Sequence, residues 1–124
     1  MGAIAVAIGG VLGAWTRWCL SYLLNPLWPS LPPGTLVANL VGGFLIGVFI
    51  ELFSLHKEIP PEVALFVIIG FLGGLTTFST FSAEAVTLFA RGQYFWAMSH
   101  ISSHLVGSLM MTVMGIATCR GFWP

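Results

Sequence analysis

The sequence predicts an all-α integral membrane protein: four transmembrane helices, the third of them broken, assembled as an antiparallel (dual-topology) homodimer. Three observations give the four helices and the break, while the pairing rests on the balance of positive charge between the two sides. Of 124 residues, 57% are hydrophobic and 6% are charged, whereas a soluble domain carries about a quarter charged residues. The apolar residues fall into four segments near 2–24, 35–55, 63–90 and 94–119, each long enough for the ~20 residues that cross a bilayer. The third segment is interrupted near 73–80 by Gly73-Gly74-Leu75-Thr76-Thr77-Phe78-Ser79-Thr80. Paired glycines weaken a helix, and Ser and Thr compete for backbone hydrogen bonds. Broken backbone is tolerated at membrane depth only inside protein or beside a wet cavity. The segments make one transmembrane domain over 1–124, with no room for a soluble catalytic domain. Net charge is zero and no basic cluster exists, which argues against nucleic acid and polybasic lipid docking.

Span one, 2–24, carries Gly9-x-x-x-Gly13, a small-residue face for close helix approach. It has no Lys or Arg before Arg17, so it lacks a signal peptide's positive n-region and is read as a retained span. Arg17 sits among Trp15, Trp18 and Tyr22, which suit the membrane interface. It is either a snorkelling anchor or a charge that meets an anion or a helix C-terminus. Cys19 and Cys119 read as small buried hydrophobes, not as a disulfide or a metal site.

Residues 25–34 form an uncharged, proline-rich loop. Thr35 is expected to cap span two. Gly43-x-x-x-Gly47 gives that span a second packing face. Asn39 is its only amide and must face protein or water, either as an interhelical bond or as a pore donor. Glu51 comes near the span's end, and 56–62 is a solvated loop.

Span three is expected to resume at about Thr80, with that hydroxyl as cap and Glu84 in the favourable first turn. A break offers N–H groups to anions and carbonyls to cations. Span four places His100, His104, Ser108 and Thr112 four residues apart on one polar stripe, covering roughly 18 Å at 1.5 Å per residue. The two histidines suit zinc, but the sequence places no carboxylate or thiolate beside them to complete a site. The stripe reads more economically as a track for something polar. Tyr94, Trp96 and Trp123 belong to the aromatic belts.

Four crossings put Lys57 and Arg120 on one side, Arg91 on the other and Arg17 in the half of span one nearest that second side. Two positive residues against two give the positive-inside rule no preferred direction. Either one dominant charge orients so small a protein, or it inserts in both orientations and pairs antiparallel, which would set two broken spans back to back.

Together these features resemble the Fluc (CrcB) family of small fluoride channels. The resemblance covers essentially the whole chain: Gly9-Gly10-Val11-Leu12-Gly13-Ala14 leading to Arg17-Trp18, Gly34-Thr35-Leu36-Val37-Ala38-Asn39 followed by Gly42 and Gly47, and Gly70-Phe71-Leu72-Gly73-Gly74 running on through Thr76-Thr77-Phe78-Ser79-Thr80-Phe81-Ser82-Ala83-Glu84. It implies an antiparallel homodimer in the cell (inner) membrane of a microbe, with two pores and a central structural sodium ion. By the same resemblance Phe78 and Phe81 are the pore phenylalanines, with Asn39 beside them and Ser79 and Thr80 as hydroxyl donors at the same depth. His104, Ser108 and Thr112 match the polar track; the family carries His or Tyr at the first of these. The backbone carbonyls of Gly73 and Thr76 from both subunits are implied as sodium ligands. Arg17 and Glu84 match the family's span-one arginine and span-three glutamate, while His100 has no family role.

Other classes fit less well. A proton-coupled exporter needs a carboxylate deep in span one, which has none. An enzyme is not expected: the Gly-rich stretch lacks a phosphate-loop lysine, and no catalytic constellation is present. A scaffold would explain the glycine faces but not the polar stripe.

Overall fold

A computed structural model describes residues 1–122; Trp123, assigned above to an aromatic belt, lies outside them. Among the described residues the elements are helical throughout. Helix α1 (Gly2–Leu24) is span one and runs into a short 3₁₀ turn, Asn25–Leu27. Helix α2 (Pro33–Leu55) is span two. Span three is composite: α3 (Pro61–Ala64), a π-helical stretch (Leu65–Leu72), α4 (Gly73–Leu75) and, after the break, α5 (Phe78–Ala90). Helix α6 (Tyr94–Phe122) is span four. All four spans are long and apolar enough to cross a membrane.

Span two starts earlier than its sequence suggests, and Thr35 is not its cap. Pro33 occupies the first turn, where a missing N–H costs nothing. The orphan N–H groups of Gly34 and Thr35 donate to Asn25 Oδ1 from the preceding loop, at 2.8 and 3.2 Å. Thr35 is buried; its Oγ1 accepts from Asn25 Nδ2 at 3.3 Å and keeps its own proton for another partner.

The break in span three is narrower than 73–80. Only Thr76 and Thr77 leave the helical conformation, both with extended backbone. Thr77, not Thr80, is the cap: its Oγ1 accepts from the Thr80 N–H at 3.2 Å. Glu84 therefore lies in the second turn of α5, too far from the N-terminus for the dipole to be its main partner. The π-helical stretch before the break widens the helix where buried Gly70 meets span one.

Two backbone-on-backbone seams hold the bundle. Span one lies on the first half of span three, where a Cβ on Gly13 would overlap the Phe71 carbonyl. Span two lies on span four, where a Cβ on Gly47 would overlap the Thr112 carbonyl. The side-chain core between them is small, centred on Ala38, Leu72 and Leu75. Gly92, at φ +71°, turns the chain from α5 into α6. Arg120 near the end of span four pairs with Glu51 of span two through Nε at 2.9 Å. Both cysteines are free, but only Cys119 is buried; Cys19 is exposed, contrary to its reading as a buried hydrophobe.

Candidate functional site

A groove of ≈ 440 Å³ runs between spans two, three and four, opening on the surface of the chain. Asn39, Thr76, Thr77, Phe78, Phe81, His104, Ser108 and Thr112 line it, together with Gly73 and several apolar side chains. The break, the span-two amide and most of the span-four stripe therefore share one wall.

Asn39 organises this wall. Its Oδ1 accepts the Thr77 N–H at 2.8 Å, and its Nδ2 donates to the Thr77 carbonyl at 3.0 Å. One side chain thus satisfies both backbone groups that the break exposes, and this pairing fixes which amide atom is which. Nδ2 also lies 2.9 Å from His104 Nδ1. Because Nδ2 can only donate, Nδ1 must accept, and the His104 proton sits on Nε2. That Nε2 is buried and has no hydrogen-bond partner among the described residues, on a side chain with 4% exposure.

Phe81 stands beside His104, with ring centroids 4.9 Å apart, and stacks on His100 at 5.3 Å. Phe78, 5.4 Å from Phe81 and tilted by 52°, is 78% exposed and stands out from the chain beside the groove. Ser108 lines the groove, whereas Thr112 Oγ1 donates back to the Ser108 carbonyl at 2.9 Å.

Several expected members lie elsewhere. Ser79 and Thr80 do not line the groove; their hydroxyls join Thr77 Oγ1 at 3.3 and 3.2 Å in the helix cap. His100 leaves the polar track and is fully buried behind Phe81. Its Nε2 lies 3.3 Å from the Phe81 carbonyl and 3.4 Å from Glu84 Oε2. Glu84 Oε1 accepts from the Thr35 hydroxyl at 2.7 Å. Glu84, His100 and His104 thus form a group of metal-ligand type, each with a donor atom within 4.8 Å of the others. The expectation that no carboxylate stands near the histidines is overturned: Glu84 comes from span three, invisible to a count along span four. Arg17 donates from Nε to the Gly74 carbonyl at 3.0 Å, at the end of the first half of span three. Thr77 and Thr35 are the members sequence reasoning missed; an amide that must find a partner pointed to Thr77's neighbourhood but not to Thr77.

Residues 4–116 match the family described as CrcB-like protein, Camphor Resistance (CrcB). The chain belongs to the CrcB family. Among curated CrcB relatives, the fluoride-specific ion channel FluC of Nitrosospira multiformis is 60% identical over 116 residues, covering 94% of this chain and 91% of the relative. The protein of the same name from Ralstonia pickettii is 55% identical over 122 residues, covering 98% and 97%. That from Nitrosomonas europaea is 55% identical over 119 residues, covering 96% and 94%. With four apolar spans and CrcB membership, the chain is a multi-pass bacterial membrane protein. It groups with proteins named as channels and is not an enzyme.

Proposed function

We propose that the protein is a fluoride-selective channel that lets fluoride leave the cell passively. It works as an antiparallel homodimer in the inner membrane, with two pores and a structural sodium ion. The observation that carries this reading is the His104 ring on the groove wall, whose Nε2–H is buried and has no partner among the described residues. An unsatisfied buried donor is costly, and a small anion is the partner that removes the cost.

Fluoride is strongly hydrated, so a pore must replace its water with donors. His104 and Ser108 supply donors without a fixed charge, which would hold the ion too tightly. Phe78 and Phe81 add ring edges of positive character beside the same wall. A passage with donors spaced for a small ion would reject larger halides. The names of the relatives point the same way.

The chemistry of the break fits a hard cation. In an unbroken helix the Gly73 and Thr76 carbonyls would accept from the N–H groups of Thr77 and Thr80. Those N–H groups instead donate to Asn39 Oδ1 and Thr77 Oγ1. The Gly74 and Thr77 carbonyls are taken by Arg17 and Asn39. The carbonyls of Gly73 and Thr76, which the family resemblance implies as ligands, are thus among the hard oxygen donors the break releases, and such donors suit sodium. Both carbonyls from each subunit would hold the ion, and when bound it supplies positive charge that offsets them. Arg17 and Asn39 keep the neighbouring carbonyls occupied.

Equal positive charge on the two sides favours insertion in both directions. The groove also opens beside Phe78, Leu105 and Leu109, which are exposed in the single chain and suit a second copy.

Fluoride efflux from liposomes holding the purified protein, with chloride as the paired control, tests the reading. Passive fluoride loss with chloride retained is expected. Equal loss of both ions, or of neither from a folded dimer, would overturn it.

A further inference from the structure

Beside Phe81, three buried polar atoms have no hydrogen-bond partner among the described residues: Glu84 Oε2, His100 Nδ1 and His104 Nε2. Their side chains converge from α5 and α6, with one donor atom of each within 4.8 Å of the others. We propose that Glu84, His100 and His104 bind a divalent transition-metal ion of the zinc class, and that the bound ion blocks the channel.

Two imidazoles and a carboxylate match the three-ligand zinc sites that keep a fourth position open. Imidazole donors select such ions over sodium, magnesium or calcium. The outer shell is already in place. Thr35 donates to Glu84 Oε1 at 2.7 Å, and the Phe81 carbonyl sits 3.3 Å from His100 Nε2. The first contact orients the carboxylate, and the second orients the His100 ring and raises its basicity. Burial of His100 at 0% and His104 at 4% keeps competing water away.

The block follows from the His104 tautomer. Asn39 engages Nδ1, so Nε2 is the nitrogen left to ligate, and it carries the proton in the metal-free protein. Coordination takes the Nε2 lone pair and moves that proton to Nδ1. There it faces the Asn39 amide hydrogens, and the Asn39–His104 bond is lost. The same nitrogen is an anion donor with its proton and a metal ligand without it. It cannot serve both.

The blocking arm rests on the channel reading; the binding arm does not. Zinc titrated calorimetrically into the detergent-purified protein should bind once per chain, and cobalt should give the absorption of a low-coordinate site. His100→Gln and Glu84→Gln should each weaken binding at least about tenfold. His56→Gln, in the loop, should leave binding intact. In liposomes, zinc should slow fluoride efflux by the wild type, and His100→Gln should relieve that inhibition relative to its own zinc-free rate. Absence of wild-type binding, an octahedral cobalt spectrum, or binding lost only in His56→Gln would overturn the site. Tight binding with undiminished efflux would overturn the block. No efflux even without zinc would instead count against the channel reading, while the calorimetry still decides the site.

Discussion

The seam between span one and the first half of span three and the groove between spans two, three and four are closed by opposite means. In the seam, Gly9 and Gly13 meet Gly70 and the Phe71 backbone, and almost no side chain intervenes. In the groove, side chains complete what the backbone leaves open: Asn39 takes both polar groups of Thr77 and orients His104. Span three belongs to both regions. Its first half needs a smooth small-residue face, its second half needs a fresh N-terminus aimed elsewhere, and two extended residues separate them. A seam made of backbone tolerates no added volume; a groove made of side chains tolerates no lost donor.

Breaking the groove alone should have the largest effect. Asn39→Ala leaves the Thr77 N–H and carbonyl unpaired and frees His104 to change tautomer. Each unsatisfied buried group costs about 1–3 kcal/mol, so fluoride efflux should fall about 10- to 100-fold while the seam still holds the protomer together. Undiminished efflux in a folded Asn39→Ala protein would remove the amide from the pathway.

Phe78→Ile and Phe81→Ile come next, because apolar volume is kept while the ring edge is lost. A ring contact of about 0.5–1.5 kcal/mol corresponds to a loss of up to about tenfold in efflux. Unchanged efflux in both variants would leave the rings a packing role only.

Breaking the seam should appear in stability. Gly13→Ala drives a methyl into the Phe71 carbonyl and should cost about 1–3 kcal/mol, read as a lower melting temperature in detergent. Gly10→Ala, whose nearest neighbour stands 4.0 Å away, should be neutral or slightly stabilising. Equal melting temperatures would show that the seam is looser than its geometry.

The smallest change is a topology reporter fused to the C-terminus. Labelling on both membrane faces is expected, because the groove then meets an inverted copy. One-sided labelling would contradict dual topology.

The two regions also differ in how far the sequence reveals them. Both glycine faces announce their role by residue type and spacing, since only a missing side chain lets backbones touch. The break shows itself for the same reason, through glycine and hydroxyl residues where an apolar helix was due. Partners across the groove do not. Thr35 resembles a cap because it opens an apolar run, yet Asn25 and Pro33 do that work and Thr35 reaches Glu84. His100 shares a four-residue spacing with His104, but a helix advances ~40° beyond a full turn every four residues. The second half of span three then covers the drifted end of the stripe, so His100 meets Glu84 and Phe81 instead of the groove. Periodicity reports a face of one helix; it carries no information about which neighbour covers that face.

The central claim is that the Nε2–H of His104, fixed by Asn39, is the anion donor of the groove. Fluoride efflux of His104→Phe measured against His104→Tyr tests it most directly. Phenylalanine keeps a ring but has no donor, whereas tyrosine supplies a hydroxyl. Efflux retained in His104→Tyr and lost in His104→Phe is the expected result. Equal efflux from the two variants would contradict it.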